Sequence, residues 1–148
     1  MAEHRVNMCR LAFDGIKKAE LCLEELNLQG KSYTVNTLHH LKKKGVENPV
    51  LVIGADSLVN FNKWYNYEEI LGMAELYAYQ REGIDEKLLL NSKKSLENQG
   101  AKITLLDIYP PAISSSHIRA AFLKGETPDE FLAPSVLNYI NECSLYRG

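Results

Sequence analysis

The 148-residue chain is short of the residues that announce a specialised class. Cysteine occurs only at Cys9, Cys22 and Cys143, an odd count with no CxxC pair. That argues against a disulfide framework and for a reducing compartment. Neither sign of charge dominates. A net charge of -2 argues against a nucleic-acid or membrane-surface role driven by bulk charge. No apolar run approaches membrane-spanning length, and the opening "MAEHRVNMCRLAF" is too polar for a signal peptide. No GxGxxG, Walker A, GxSxG or HExxH stretch occurs. His39 and His40 are adjacent on a predicted helix and so point about 100° apart, which leaves no metal-ligand spacing. The expectation is a soluble, cytoplasmic, globular protein with neither nucleic acid nor membrane among its partners. The length fits a single domain over 1–148, and an apolar share of 45% is enough for one sizeable core.

What is present reads as helices alternating with short apolar strands. Val6, Cys9, Phe13 and Ile16 recur at helical spacing over 4–16, with Met8, Leu11 and Ala12 widening the stripe. "AELCLEEL" (19–26) fits a half-exposed strand or a helix continuation. "SYTVNTLHHLKKKG" (32–45) reads as a turn into a helix with Val35, Leu38 and Leu41 on its apolar face. Its lysines lie at the C-terminal end and Gly45 forms the stop. "VLVI" (50–53), after Pro49, has the pattern of a strand covered on both faces. A helix follows over "NYEEILGMA" (66–74), capped by Asn66 with Glu69 three residues on and with Tyr67, Ile70, Leu71 and Ala74 as its stripe. "LYAYQ" (76–80) and "KITLLDI" (102–108) are further strands flanking a polar helix over 84–100. "SSSHIRAAFLKG" (114–125) is a helix entered through serines. "TPDE" (127–130) is a helix start, and Pro134 opens a last helix with Val136, Tyr139, Ile140 and Cys143 on one face. The alternation predicts an α/β domain with a mainly parallel sheet.

In open parallel sheets ligands bind beyond the carboxyl ends of the strands. One such end is Gly54-Ala55-Asp56. A residue without Cβ admits a ligand close to the backbone, and a carboxylate accepts hydrogen bonds from a ribose. The plainer reading is a turn at Gly54 and a helix cap at Asp56. A second end is "YPPAISSSHIR". Ser114, Ser115 and Ser116 place first-turn N–H groups and hydroxyls at a helix N-terminus, which suits phosphate. Arg119 follows one turn later as a planar cationic fork. Serine capping alone also explains the serines. His117 points elsewhere by helical phase and reads as a solvent histidine. Arg81, with Gly83, stands at a third strand end. Trp64 and Tyr65 lie between a strand end and a helix cap, placed to stack on a flat ring or to join the core. Ser32 and Thr34 sit at another helix entrance, where an ordinary N-cap is the alternative.

Taken in order, "HRVNMCRLAF", "GKSYTVNTL", "VIGADSLVNFNKWYNYEEIL", "ISSSHIR" and "VLNYINECSLY" resemble bacterial nicotinate-nucleotide adenylyltransferases, nucleotidyltransferases with a Rossmann-like fold. The resemblance covers nearly the whole chain. It implies joining of nicotinate mononucleotide to ATP, with Mg²⁺ accompanying the ATP, to give nicotinate adenine dinucleotide and pyrophosphate in NAD biosynthesis. It further implies that Ser32, Tyr33, Thr34, Trp64 and Tyr65 hold the nicotinate mononucleotide. Gly54, Asp56, Arg81, Ser114, Ser115, Ser116 and Arg119 would bind ATP, with Arg119 stabilising phosphate charge in catalysis. Ser116 stands where the family commonly has threonine, and a hydroxyl is kept. The family's opening strand, its GxFxPxHxGH motif and its next strand have no counterpart in the sequence. The expected fold is therefore a Rossmann-like one with those strands absent, and weak or absent turnover by this chain alone. The alternative is a non-catalytic nucleotide-binding or partner-binding remnant of the same fold. Exposed strand edges would favour homo-oligomers. Phosphopantetheine adenylyltransferase shares the fold and a serine-rich motif but does not account for "SYTVNTL" or Trp64-Tyr65. Nicotinate and nicotinamide remain open as the ring.

Overall fold

The computed structural model describes residues 2–27, 31–81 and 83–147; Gly30 of the "GKSYTVNTL" stretch lies outside them. The chain forms two compact units, Leu28–Ala112 and Met1–Asn27 with Ile113–Gly148.

The 28–112 unit is built on three parallel strands: β1 (Val50–Gly54), β2 (Glu75–Tyr79) and β3 (Ile103–Leu106), in that spatial order. Leu51, Leu76 and Ile103 share one row of the register, and Ile53, Ala78 and Leu105 another. Side chains alternate across a strand, so these two rows form one face. Helices α2 (Thr34–Lys43), α3 (Ala55–Val59), α4 (Tyr67–Met73) and α5 (Glu86–Glu97) supply the rest of its core. Leu58, Phe61, Ile70, Leu76 and Leu89 are fully buried there. The helices begin and end where local chemistry dictates. Asp85 caps α5, its side chain accepting from the Leu88 N–H at 2.9 Å. Gly45 follows α2 at φ +84°, a left-handed turn that costs glycine nothing. Of the expected stripe of α4, Ile70, Leu71 and Ala74 are buried and Tyr67 is half-buried.

Three expectations in this unit are corrected. The "VLVI" strand is not covered on both faces, since Val50 and Val52 are 46% and 59% exposed. Among the described residues β1 pairs only with β2, so it is an edge strand with one open face. Asn66 does not cap α4 through its side chain. It adopts φ 50°, ψ 43°, a left-handed conformation asparagine tolerates, and its Nδ2 donates to Glu69 Oε2 at 3.4 Å. Nor does Asp56 cap a helix starting near Ser57: α3 starts at Ala55 with Gly54 in the cap position.

The other unit consists of α1 (Ala2–Phe13), α6 (Ser115–Leu123) and α7 (Pro134–Glu142). Its buried core is Phe122, Val136 and Ile140, with Met8, Leu11, Ile118 and Leu137 packed around it. The side of α1 that packs is thus Met8 and Leu11, whereas Cys9, Phe13 and Ile16 are exposed. The helix stops at Phe13 because Gly15 turns left-handed at φ +79°. A Tyr139 hydroxyl on α7 accepts from Asn7 Nδ2 at 2.9 Å and lies 2.9 Å from His4 Nδ1, so α1 and α7 also meet through polar groups. Residues 19–26 form neither strand nor α-helix, only a 3-10 turn over Glu24–Asn27. "TPDE" likewise yields only a 3-10 turn, Asp129–Phe131. A helix begun there would run into Pro134, and the residue before a proline is driven out of helical geometry; Ala133 sits at ψ 138°.

Candidate functional site

The sequence-predicted residues gather into three clusters. The first stands at the carboxyl ends of β1 and β2. Gly54 and Tyr79 are partners in the parallel register, and Asp56 and Arg81 each lie two residues further along their chains. Arg81 Nε is 3.6 Å from Asp56 Oδ1, with both side chains about half exposed. A Cβ placed on Gly54 would lie 2.4 Å from Asp56 Oδ1 and 3.4 Å from Arg81 Cδ and Nε. The φ of Gly54, -75°, is ordinary, so what a Cβ would change there is the position of the Asp56 carboxylate, which it would push aside. The space above Gly54 is taken by the carboxylate of Asp56. Asn60 Nδ2 donates to the Asp56 carbonyl at 2.9 Å and ties the first turn of α3 to its end.

The second cluster is aromatic. Tyr33, in the N-cap position of α2, meets Tyr65 with ring centroids 4.4 Å apart. Tyr65 is 54% exposed. Trp64, its chain neighbour, turns the other way and stacks on buried Phe61 at 4.9 Å and 28°. The two consecutive aromatics thus divide their work. Trp64 anchors the segment to the core, and Tyr65 with Tyr33 presents ring surface. Ser32 and Thr34 flank Tyr33 at the entrance to α2, where Thr34 is the first helical residue. Sequence reading missed Phe61, although its spacing of three from Trp64 is the signal for a local stack. It also missed His39 on α2, whose Nε2 lies 2.8 Å from Glu69 Oε1 on α4, linking the two helices that Tyr33 and Tyr65 precede.

The third cluster lies in the other unit, at the start of α6. Ser114 is the N-cap, its hydroxyl accepting from the His117 N–H at 3.2 Å. The plain capping reading therefore holds for that residue. Ser115 and Ser116 are exposed in the first turn, where backbone N–H groups have no carbonyl within the helix to bond. Arg119 Nη2 donates to Ser116 Oγ at 3.1 Å, which folds the guanidinium back toward the helix N-terminus. Hydroxyls, amide donors and a permanent cation thus converge on one exposed spot, the chemistry that binds phosphate. His117 is exposed.

A groove of about 290 Å³ in the 28–112 unit is lined by Asn62, Asn91, Ser92, Ser95 and Gln99 over Leu58 and Leu96. It holds no charged side chain to balance a phosphate. Among the described residues no group of three histidine, cysteine, aspartate or glutamate side chains could hold a metal ion. Nor is any helix long and apolar enough to cross a membrane.

The sequence profile of the cytidylyltransferase-like family matches residues 1–121, and the chain belongs to that family. Two sequence relatives carry the same name. A Clostridium tetani protein named "Probable nicotinate-nucleotide adenylyltransferase" is 33% identical over 145 residues, covering 97% of this chain and 72% of that protein. A Salmonella gallinarum protein of the same name is 35% identical over 158 residues, covering 97% and 74%. The fold matches nicotinic acid mononucleotide adenylyltransferase of Plasmodium falciparum complexed with APC, with TM-score 0.70, 21% identity, and 97% of this chain and 75% of that one covered. Against the complex of the same protein with NaAD the TM-score is 0.71, with 21% identity and 97% and 73% coverage. At that identity the likeness establishes the nucleotidyltransferase fold, as expected.

Proposed function

We propose that this chain transfers the adenylyl group of ATP to nicotinate mononucleotide, giving nicotinate adenine dinucleotide and pyrophosphate, a step of NAD biosynthesis. The observation that carries this reading is the likeness to the two bacterial relatives over 97% of the chain. In the reaction a phosphate oxygen of the mononucleotide bonds to the α-phosphorus of ATP. The bond from that phosphorus to the bridging oxygen breaks, and pyrophosphate leaves with the electron pair. No covalent enzyme intermediate is needed, so the chain's work is positioning and charge stabilisation.

The three clusters take parts accordingly. Ser32, Tyr33, Thr34 and Tyr65, steadied by Trp64, hold the nicotinate mononucleotide. Gly54 and Asp56 receive the adenosine side of ATP, and Arg81, paired with Asp56, meets the phosphate nearest the ribose. Ser114, Ser115, Ser116 and Arg119 receive its phosphates, with Arg119 stabilising the charge that builds up. Mg²⁺ enters as part of the substrate, on the ATP phosphates. The three unpaired, exposed cysteines suit the reducing cytoplasm, where we place the protein.

The test is pyrophosphate release by the purified chain with nicotinate mononucleotide, ATP and Mg²⁺. Mononucleotide-dependent release that Arg119→Ala abolishes is expected. Binding of both substrates with no release would instead select the non-catalytic nucleotide-binding reading.

A further inference from the structure

We propose that Asp56 is a positioning residue that holds Arg81 across Gly54 in the empty protein and releases it when nucleotide arrives. Resting on the function proposed above, the inference concerns how its ATP end is regulated. The pair follows from the sheet itself. Gly54 and Tyr79 are register partners, so side chains two residues beyond each strand end are brought to the same place. Gly54 has no Cβ to keep them apart, and both side chains pass over it. Among the described residues Asp56 is the one carboxylate that Arg81 meets.

The contact is built to be broken. At 3.6 Å it is an ion pair without a hydrogen bond, half exposed, and such pairs are weak. A closed pair leaves each partner only partly available. Phosphate must draw Arg81 away from Asp56, because the carboxylate repels the same anion that the guanidinium attracts. Ribose hydroxyls, being neutral donors, gain from the carboxylate and lose nothing to it. Asp56 therefore has opposite effects on the two ends of a nucleotide. It opposes the anion and favours the sugar, so a complete nucleotide is preferred over free phosphate or pyrophosphate at this spot.

The experiment is calorimetric titration of the full chain and of Asp56→Asn, each carrying Arg119→Ala to silence the phosphate site at α6, with two separate probes, inorganic tripolyphosphate and adenosine. Asp56→Asn should keep the fold, since the Asp56 carbonyl that Asn60 bonds is main chain; circular dichroism checks this. Tripolyphosphate should bind the variant about two- to fivefold tighter, and adenosine about tenfold more weakly. Gly54→Ala, which pushes the carboxylate aside without removing it, should shift tripolyphosphate the same way by a smaller factor. Independently of any ligand, the Arg81 Nε–H resonance should differ between the wild-type chain and Asp56→Asn. Identical Arg81 resonances, unchanged tripolyphosphate affinity, no tripolyphosphate binding by either chain, or both probes moving in one direction would each overturn the proposal. Failure of the pyrophosphate-release assay with opposite shifts still seen would sink the proposed reaction and leave this inference standing.

Discussion

The two units are held together by different means. In the 28–112 unit a parallel ladder lies against one broad apolar core, with Phe61, Leu58, Ile70 and Leu76 fully buried. In the unit of the chain termini only Phe122, Val136 and Ile140 are buried among the described residues. There the helices are fixed as much by polar contacts at their surfaces and ends: His4 and Asn7 on Tyr139, Ser135 Oγ donating to the Leu11 carbonyl at 3.2 Å, and the Ser114 cap. Burial is worth more per residue than a surface hydrogen bond. The aromatic and strand-end clusters thus stand on a rigid base, and the serine cluster on a helix whose order depends on its own cap.

The sharpest way to break this contrast is Phe61→Ala against Phe122→Ala. Removing Phe61 should cost about 3–5 kcal/mol, and removing Phe122 should fall at or below the low end of that range, because its half-exposed neighbours can collapse into the gap. Amide exchange followed separately in each unit measures both; equal losses would erase the distinction. A smaller effect is expected from Ser114→Ala. Losing the cap should cost about 1 kcal/mol, felt as faster exchange at the first amides of α6 and as weaker phosphate binding there. An unchanged α6 would mean that packing alone orders it. The smallest change should come from Lys102→Ala, which removes the exposed Lys102–Glu75 contact at 3.2 Å. Urea unfolding should move by less than about 1 kcal/mol, and a larger shift would show that electrostatics contributes to the 28–112 unit.

What could be read from the sequence was whatever is settled locally. The stripe of α4 and the serine cap of α6 depend on residues within one turn, and both appear as expected. "VLVI" misled because an apolar run cannot say whether its strand is central or at the edge. "TPDE" misled because a strong start signal was overruled by a proline further along. On α1 the periodicity was present, but α7 chose which side to pack, and it chose Met8 and Leu11. At the site, the residues of each cluster were named from their neighbourhoods in sequence. The contact between Asp56 and Arg81 was not, because it is made by strand register across twenty-five residues of chain. The parting of Trp64 from Tyr65 was hidden for the same reason: Tyr65 meets Tyr33 on a distant helix.

That parting also gives the molecule a built-in reporter. The chain contains one tryptophan, and Trp64 lies against Phe61 in the core immediately before the exposed ring of Tyr65. Its emission therefore comes from a single place, with no label added. Quenching or a blue shift on adding nicotinate mononucleotide would follow occupancy beside Tyr65. A red shift on heating would time the moment at which water reaches the indole of the 28–112 unit.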